Sequence, residues 1–410
     1  MDSNYPKPMD KQLKSAKPVF QKCVDFTRPQ EVQAMGFYPY FRPISSAPAH
    51  SVVIEGKEQI MIGSNNYLGL TTHPKVKEAA IEAVRKYGSG CTGSRFLNGT
   101  LDIHVKLEEE LAEFLHKDAV VVFSTGFQAN LGAISCLIDK RDTILIDRSD
   151  HASIVDGTRL SFGKTYKFAH NDMEDLARVM RQITPNGGGR FVVVDGVFSM
   201  EGDIVKLPEL VKIAEEFGAG VMVDDAHSVG VLGPGGRGTA EHFGLEDEVD
   251  IIMGTFSKSF ASLGGYIAAS AEIVNYVKHI ARELIFSASM PPAAVAAVRA
   301  ALEIIKTEPE RREMLWKNTR KMHEGFSQLG FDIGDTETPV IPIYIGEDDN
   351  CFIFWKALSE AGIFANPIIS PAVPPGCALI RTSYTATHTD AELDKVLDTF
   401  EKVGRQLGVI

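Results

Sequence analysis

Cysteines, tryptophans and long apolar runs are scarce in this sequence. Its 410 residues include five widely spaced cysteines, with no C-x-x-C pair and no short Cys/His motif. An odd and scattered set is typical of reduced thiols in a cytosolic protein, which argues against a disulfide framework and a zinc centre. No apolar run approaches the roughly 20 residues that a membrane-spanning helix needs.

Basic residues are also fewer than acidic residues. Lys and Arg number 42 against 54 Asp and Glu, which gives a net charge of −12. A chain this acidic is a poor candidate for general nucleic-acid binding. The exception is residues 1–22, where five lysines accompany two aspartates without the apolar core of a signal peptide. We expect a cytoplasmic protein with a flexible basic arm that suits peripheral contact with the inner membrane.

Seven short runs rich in β-branched and apolar residues alternate with helix-like stretches in the middle of the chain. Continuous apolar strands separated by helices predict an α/β fold with a mainly parallel seven-stranded sheet covered on both faces. The predicted strands are AVVVF (119–123), TILID (143–147), TYKFA (165–169), FVVVD (191–195), GVMVD (220–224), VDIIM (249–253) and GYIAA (265–269).

The pattern changes after residue 290. A long helical stretch is followed by short mixed elements, among them PVIPIYI, CFIFWKALSEAGIF and CALIRTSY. We therefore predict an N-terminal arm and segment over 1–64, a large domain over 65–290 and a smaller α+β domain over 291–410.

Polar residues follow five of the predicted strands, where ligands bind in parallel sheets. One of these segments, MGTFSKSFASLGG, contains a single lysine, Lys258, among small and apolar residues. A solvated turn lysine is the simpler reading. The alternative is a desolvated lysine whose pKa is lowered so that its neutral amine acts as a nucleophile.

The segment STGFQAN (124–130) lies between a predicted strand and a helix. Free amides at a helix N-terminus next to a close-approach glycine favour an anion, usually a phosphate, although an ordinary N-cap is an equal alternative. Thr255 and Ser257 supply hydroxyls from a neighbouring strand end. The letters GSGCTG (88–93) match G-x-G-x-x-G, but they follow a helical pattern rather than a strand, which argues against a dinucleotide site.

Two further segments complete the pattern. VMVDDAHSVG (221–230) ends an apolar run with Asp224, which needs a partner if it is buried: a metal, an arginine, a protonated ring nitrogen or a structural ion pair. His151 is either an exposed loop residue or lies flat on an aromatic ligand. A phosphate, a protonated aromatic nitrogen and a carbonyl for Lys258 together describe pyridoxal 5′-phosphate, with no metal.

The motifs GTFSKS, VDDAHSVG, DGVFSMEGD, STGFQAN, SNNYLGL, GSRFLNGT and IRTSY together resemble the α-oxoamine synthases, over residues 35–405. These are pyridoxal-phosphate enzymes of aspartate-aminotransferase fold type I. Most of them condense an amino acid with an acyl-CoA and release carbon dioxide. The resemblance implies the same fold, the same cofactor and a homodimer with shared active sites.

The resemblance also implies a role for each matched residue. Lys258 binds the cofactor covalently, Asp224 pairs with the pyridine nitrogen, His227 lies near the phenolic oxygen and His151 stacks on the ring. Ser199 lies near the ring, while Gly126, Phe127, Thr255, Ser257 and, across the dimer, Ser287 contact the phosphate. Arg381, Asn65 or its neighbour Asn66, His151 and Ser94 contact the substrate, with Ser94 close to the dimer interface.

Within the family, YFRPI, GCTGSRFLNGTLDIH, GTFSKS and SPAVPP most resemble the bacterial branch that joins L-serine to palmitoyl-CoA, or a similar long-chain acyl-CoA. Branches that use alanine with pimeloyl-CoA, or glycine with acetyl-CoA, share the same chemical residues and stay open. A non-catalytic partner subunit is the alternative from a different class, but the lysine, aspartate and histidine that such a subunit can lose are all present.

Overall fold

The computed structural model describes residues 17–183 and 187–410. The predicted basic arm therefore lies mostly outside the described residues. The chain divides into two compact units, residues 1–42 and 43–410. In the first, α1 (Pro18–Asp25) has only exposed residues, and α2 (Arg28–Ala34) follows it.

The second unit contains the other elements in alternating order. Its strands are β1 (Ser51–Ile54), β2 (Lys57–Met61), β3 (Ala119–Phe123), β4 (Thr143–Asp147), β5 (Lys164–Phe168), β6 (Arg190–Asp195), β7 (Ala219–Asp224), β8 (Ile251–Thr255), β9 (Gly265–Ala269), β10 (Val340–Gly346), β11 (Ile363–Phe364), β12 (Asn366–Ile368) and β13 (Ala378–Ser383). Its helices are α3 (Pro74–Tyr87), α4 (Asp102–Leu115), α5 (Gly126–Leu137), α6 (Ala152–Leu160), α7 (Met173–Gln182), α8 (Leu207–Glu216), α9 (Thr239–Phe243), α10 (Ala271–Ile280), α11 (Arg282–Ile285), α12 (Pro292–Thr307), α13 (Pro309–Leu329), α14 (Asp348–Glu360) and α15 (Asp390–Leu407), with a 3₁₀ turn at Leu70–Thr72.

The central sheet confirms the predicted fold class. Its seven strands lie in the order β3-β9-β8-β7-β6-β4-β5, and β9 alone runs antiparallel to its two neighbours. All seven predicted runs form strands, although β8 begins two residues later than VDIIM and continues to Thr255. This extension arises because β9 pairs Thr255 with Gly265 after the register with β7 has ended.

The strand sequences explain why this sheet is covered on both faces. Side chains alternate between the faces of a strand, so a strand buried on both sides is apolar throughout. In β6, Val192 and Val194 pack into one core cluster, whereas Val193 packs into a second cluster on the opposite face. All three are fully buried.

The parallel direction of β3, β4, β6, β7 and β8 brings their carboxyl ends to one edge of the sheet. The segments that carry the predicted site residues begin at this edge, and α5 and α6 start there with Gly126 and Ala152. The sequence GSGCTG follows α3, which ends at Tyr87, and Gly88 has a positive φ of 82°. The prediction that it follows a helix rather than a strand is confirmed.

Two smaller three-stranded sheets complete the second unit. They have the orders β1-β2-β11 and β10-β13-β12. An aromatic core that includes Phe326, Phe354 and Phe400 packs beside the second sheet. The domain bounds at residues 64 and 290 stay a prediction. None of the helices in the described ranges combines the length and the apolar character that crossing a bilayer requires.

Candidate active site

A cavity of about 270 Å³ opens at the carboxyl edge of the central sheet. Segments that follow β3, β4, β6, β7 and β8 all contribute to its wall. The predicted site residues that line it are Gly126, Phe127, His151, Ser199, Asp224, His227, Thr255, Ser257 and Lys258. Residues that are far apart in the sequence, from Gly126 to Lys258, thus line the same cavity.

One end of the cavity suits an anion. Helix α5 begins there at Gly126, and Thr125 caps it by accepting a hydrogen bond from the Gln128 amide at 3.1 Å. The amides of Gly126 and Phe127 have no partner within the helix because they belong to its first turn. A side chain at Gly126 would lie 2.7 Å from Thr255 Oγ1, so only glycine allows this close packing.

Hydroxyl groups adjoin these amides. The Thr255 hydroxyl donates to the Gly264 carbonyl at 2.9 Å, and its oxygen lies 3.0 Å from Ser257 Oγ. Thr255 is buried, whereas Ser257 is exposed at the cavity wall. The arrangement places the Ser257 hydroxyl beside two helix N-terminal amides, which is the kind of donor set that a phosphate group prefers.

Asp224 lies at the end of β7 and is only 3% exposed. Its Oδ2 accepts a hydrogen bond from Asn130 Nδ2 at 2.7 Å, and its Oδ1 accepts one from the Ala226 amide at 2.9 Å. No side-chain cation of the described residues is bonded to it. A buried carboxylate with neutral donors only is poised to bind a cationic group in the cavity.

Lys258 follows β8 and is half-buried in the wall of the same cavity. Loss of solvent lowers the pKa of its amine from 10.5 to about 8, although the carboxylates of Asp224 and Asp195 oppose this shift. The amine is therefore unprotonated far more often at neutral pH than that of a surface lysine.

Two histidines flank this centre. His151 caps α6, and its backbone amide donates to Asp195 Oδ2 at 2.9 Å. Burial lowers the pKa of His227, and the nearby charges of Lys258 and Arg381 lower it further. The His227 Nδ1 atom lies 2.6 Å from the Tyr67 hydroxyl. Both rings line the cavity, so both are available to an aromatic ligand.

Arg381 belongs to β13 and is 5% exposed. Its Nε donates to the Ser199 carbonyl at 2.6 Å, and its Nη2 donates to Asn65 Oδ1 at 3.0 Å. Asn66 instead donates to Thr71 Oγ1 at 2.8 Å. Of the two adjacent asparagines, the geometry therefore connects Asn65 with the guanidinium that is predicted to bind the substrate.

Ser94 and Ser287 do not line the cavity formed by the described residues of this chain. The Ser94 hydroxyl is buried and has no hydrogen-bond partner among them. Ser287 Oγ accepts a hydrogen bond from Gln128 Nε2 at 2.9 Å, and Gln128 belongs to the first turn of α5. Their roles across a dimer interface stay predictions.

Sequence reasoning missed four residues of the site: Tyr67, Asn130, Ser153 and Asp195. Asn130 and Ser153 are almost completely buried, and Asp195 lines the cavity beside Asp224. Asn130 follows Gly126 by one helical turn, so the pattern of α5 places it on the face that points to the cavity. The spacing from Gly126 was therefore a signal in the sequence for Asn130. Tyr67, Ser153 and Asp195 had no such signal, because their contacts depend on packing between distant parts of the chain.

The arrangement fits pyridoxal 5′-phosphate. The N-terminus of α5 and the neighbouring hydroxyls suit the phosphate of this cofactor. The carboxylate of Asp224, which has only neutral hydrogen-bond donors, suits the pyridinium, and the amine of Lys258 suits the aldehyde. The described residues hold no group of three His, Cys, Asp or Glu side chains that could bind a metal ion.

Comparisons with known proteins agree with this geometry. The profile of the family "Aminotransferase class I and II" matches residues 57–400. A serine palmitoyltransferase from Sphingobacterium spiritivorum is 53% identical over 386 residues, 94% of this chain and 96% of that protein. An 8-amino-7-oxononanoate synthase from Thermoanaerobacter pseudethanolicus is 45% identical over 381 residues, 93% of this chain and 96% of that protein.

A solved structure shows the same fold. It is a serine palmitoyltransferase from S. paucimobilis with a bound PLP–myriocin aldimine, 37% identical to this chain with a TM-score of 0.92. The alignment covers 96% of this chain and 99% of that one. The resemblance drawn from the motifs is thereby confirmed. This chain belongs to the aminotransferase class I and II family and, within it, to the α-oxoamine synthases.

Proposed function

We propose that this protein condenses L-serine with palmitoyl-CoA and releases carbon dioxide and coenzyme A, giving 3-ketodihydrosphingosine, the first base of sphingolipid synthesis. The observation that carries the proposal is the partly desolvated amine of Lys258 in one cavity with the buried carboxylate of Asp224. The identity to serine palmitoyltransferases, 53% over almost the whole chain, supports the choice of substrates.

The cofactor is pyridoxal 5′-phosphate, which when bound supplies an electron sink for the bond that breaks at the amino-acid α-carbon. The first-turn amides of α5, together with Thr255 and Ser257, would hold its phosphate. Asp224 would keep a proton on its ring nitrogen because a carboxylate stabilises the cation beside it. These contacts fix the orientation of the ring before the substrate binds.

Lys258 has two tasks. Its neutral amine would hold the cofactor through the aldehyde group, and as a free base it would accept the α-proton of the amino acid and return a proton. With a pKa of about 8, about a tenth of the amine is neutral at pH 7, against well under 0.1% for an unperturbed lysine. The lowered pKa therefore brings the base close to the operating pH.

Arg381 would bind the carboxylate of serine. Two of its donors are already engaged by the Ser199 carbonyl and Asn65 Oδ1, which fixes the plane of the guanidinium. The Tyr67 hydroxyl also contacts the guanidinium. A guanidinium has five donors in one plane, so it can still offer paired hydrogen bonds to a carboxylate, as a lysine at this position could not.

The proposal is tested with purified protein loaded with cofactor. Addition of L-serine should shift the cofactor absorbance saturably, and palmitoyl-CoA should then release a free thiol. The Lys258→Ala variant is the control and should show neither capture of the aldehyde nor turnover. A response to alanine with pimeloyl-CoA, but not to serine, would instead assign the reaction of the 8-amino-7-oxononanoate synthases, to one of which the chain is 45% identical.

We further infer a homodimer with shared active sites. Large apolar side chains are exposed in the two segments that carry the predicted cross-dimer serines: Leu97 is 77% exposed and Phe286 is 74% exposed. Burial of such side chains in a second copy would be favourable. Light scattering should give twice the chain mass, and Phe286→Glu should yield a monomer with reduced turnover.

A cytoplasmic location with contact at the inner membrane is a separate inference from the basic arm. Among the described residues, the exposed Val19 and Phe20 of α1 lie near Lys17 and Lys22. Apolar and basic side chains together favour anionic lipid surfaces. Flotation with anionic vesicles, compared between the full chain and a variant lacking residues 1–26, tests this inference.

A further inference from the structure

A chain of buried polar side chains connects the two residues that are predicted to contact the cofactor ring. We call Asp224, Asn130, Ser153 and His151 the Asn130 network. Asn130 is completely buried and Ser153 is 1% exposed. Burial of two neutral polar side chains is costly unless they are hydrogen-bonded, so their bonds deserve an account.

The directions of the hydrogen bonds in the network follow from chemistry. Asn130 Nδ2 lies 2.7 Å from Asp224 Oδ2 and 2.8 Å from Ser153 Oγ. A carboxylate only accepts, so the nitrogen of the amide, with two hydrogens, must face it. One hydrogen serves Asp224 and the other serves Ser153. The Ser153 hydroxyl, which accepts from Asn130, is left with its own hydrogen to donate.

That hydrogen points to His151. Ser153 Oγ lies 2.7 Å from His151 Nδ1, and the backbone amide of Ser153 lies 3.2 Å from the same nitrogen. A backbone amide can only donate, so Nδ1 must be an unprotonated acceptor. The ring proton of neutral His151 is then on Nε2. Partial desolvation at the cavity wall also lowers the pKa of His151, which agrees with a neutral imidazole.

We propose that Asn130 and Ser153 are positioning residues that hold the Asp224 carboxylate in place and fix His151 as the tautomer protonated on Nε2. The proposal rests on the proposed function only through the cofactor site. His151 then presents a hydrogen-bond donor from its Nε2 to a ligand that lies in the cavity. It does not present a base there, which leaves Lys258 to accept the substrate proton.

Other charged or titratable groups also face Asp224 and His151. They are Asp150, Asp195, Asp225, Lys258 and Tyr266 around Asp224, and Lys258 and His227 around His151. None of them is changed in the variants below.

The first test measures cofactor affinity by dialysis of the loaded protein at a single pH. Asn130→Leu removes the donor that holds Asp224 Oδ2 and should weaken cofactor binding about tenfold, because the carboxylate loses its fixed position. Ser135→Ala, on the same helix but outside the network, is the matched control.

The second test uses nitrogen NMR of histidine-labelled holoenzyme. The His151 signals are identified by their loss in His151→Asn. We expect a protonated Nε2 and an accepting Nδ1 in the wild type. In Ser153→Ala only the backbone amide still donates to Nδ1, so the Nδ1 signal should shift toward a more weakly hydrogen-bonded acceptor with a minor tautomer protonated on Nδ1, and Ser153→Thr should restore the wild-type signals. The same Ser153→Ala variant should raise the KM for L-serine several-fold and change kcat much less.

Two results would overturn the proposal. The first is a proton on Nδ1 of His151 in the wild type, and this result does not depend on how the Asn130 and Ser153 variants fold. The second is equal cofactor affinity for Asn130→Leu and Ser135→Ala, because a purely structural role lowers thermal stability without selectively weakening cofactor binding. If Asn130→Leu fails to fold, Asn130→Ala makes the same comparison. Neither affinity nor tautomer requires turnover, so failure of the serine reaction leaves both tests intact.

Discussion

The pKa of Lys258 gives a prediction that can be worked through to a rate. The perturbation is pH, and the observable is the capture of pyridoxal 5′-phosphate by the protein from which cofactor has been removed. Only the neutral amine attacks an aldehyde. The rate should therefore follow the neutral fraction of Lys258, which burial in the cavity wall controls.

The magnitude follows from a pKa of about 8. The neutral fraction rises from about 1% at pH 6 to about 50% at pH 8 and about 90% at pH 9. Capture should thus accelerate about 90-fold between pH 6 and pH 9 and then level off. An unperturbed lysine with a pKa near 10.4 would still gain almost tenfold between pH 8 and pH 9.

The assay is stopped-flow absorbance of the cofactor after mixing with the protein. The cofactor has ionisations of its own, so each rate is divided by the rate with Nα-acetyl-lysine at the same pH. A surface lysine gives a constant ratio in that comparison. A ratio that stays constant from pH 6 to pH 10 would refute the conclusion that the cavity desolvates Lys258, and Lys258→Ala should give no capture at any pH.

Three substitutions give further predictions. Asp224→Ala should fold normally but bind cofactor at least tenfold more weakly in dialysis, because the ring cation loses its carboxylate; unchanged affinity would contradict the assigned role. Arg381→Lys should raise the KM for L-serine at least tenfold in steady-state assays, because a point charge replaces a planar fork; an unchanged KM would mean that the substrate carboxylate binds elsewhere. His170→Asn should destabilise the protein, because His170 bonds Asp147 at 3.1 Å and Asp203 at 3.2 Å. Burial opposes its charge, but these two partners raise its pKa from 6.5 to about 10. The stabilisation, about 2 kcal/mol, is complete below pH 6.5 and is lost as the pH rises through 10, so the difference in Tm should close over that range; a constant difference would contradict the ion pairs.

Much of the central sheet was predictable because its strands carry their own signal. A strand buried on both faces must be apolar throughout. Short β-branched runs such as FVVVD and GVMVD are typical of such strands, and both form buried strands in the central sheet. Strand ends were less predictable. Thr255 extends β8 beyond the apolar run because β9 offers it a partner, which is a property of the neighbouring strand.

The site was predictable wherever chemistry and strand ends coincide. Asp224 ends one predicted strand and Lys258 lies in the segment after another, and parallel strands bring such positions together. The choice between Asn65 and Asn66 could not be made in the same way, because both side chains are polar and adjacent. The structure distinguishes the two asparagines by their contacts. Asn65 is bonded to Arg381, which lies more than 300 positions further along the chain, whereas Asn66 is bonded to Thr71.

The sequence by itself determined the fold class, the family and the chemistry of the site, because these depend on residue types at strand ends and on motifs that are local in the chain. Only the tertiary structure decided the electrostatic state of that site. The lowered pKa of Lys258, the donors on Asp224 and the tautomer of His151 arise from burial and from contacts between α5, α6 and β7. Such contacts join residues distant in the chain, and desolvation depends on the complete surroundings of a group, which no local pattern records.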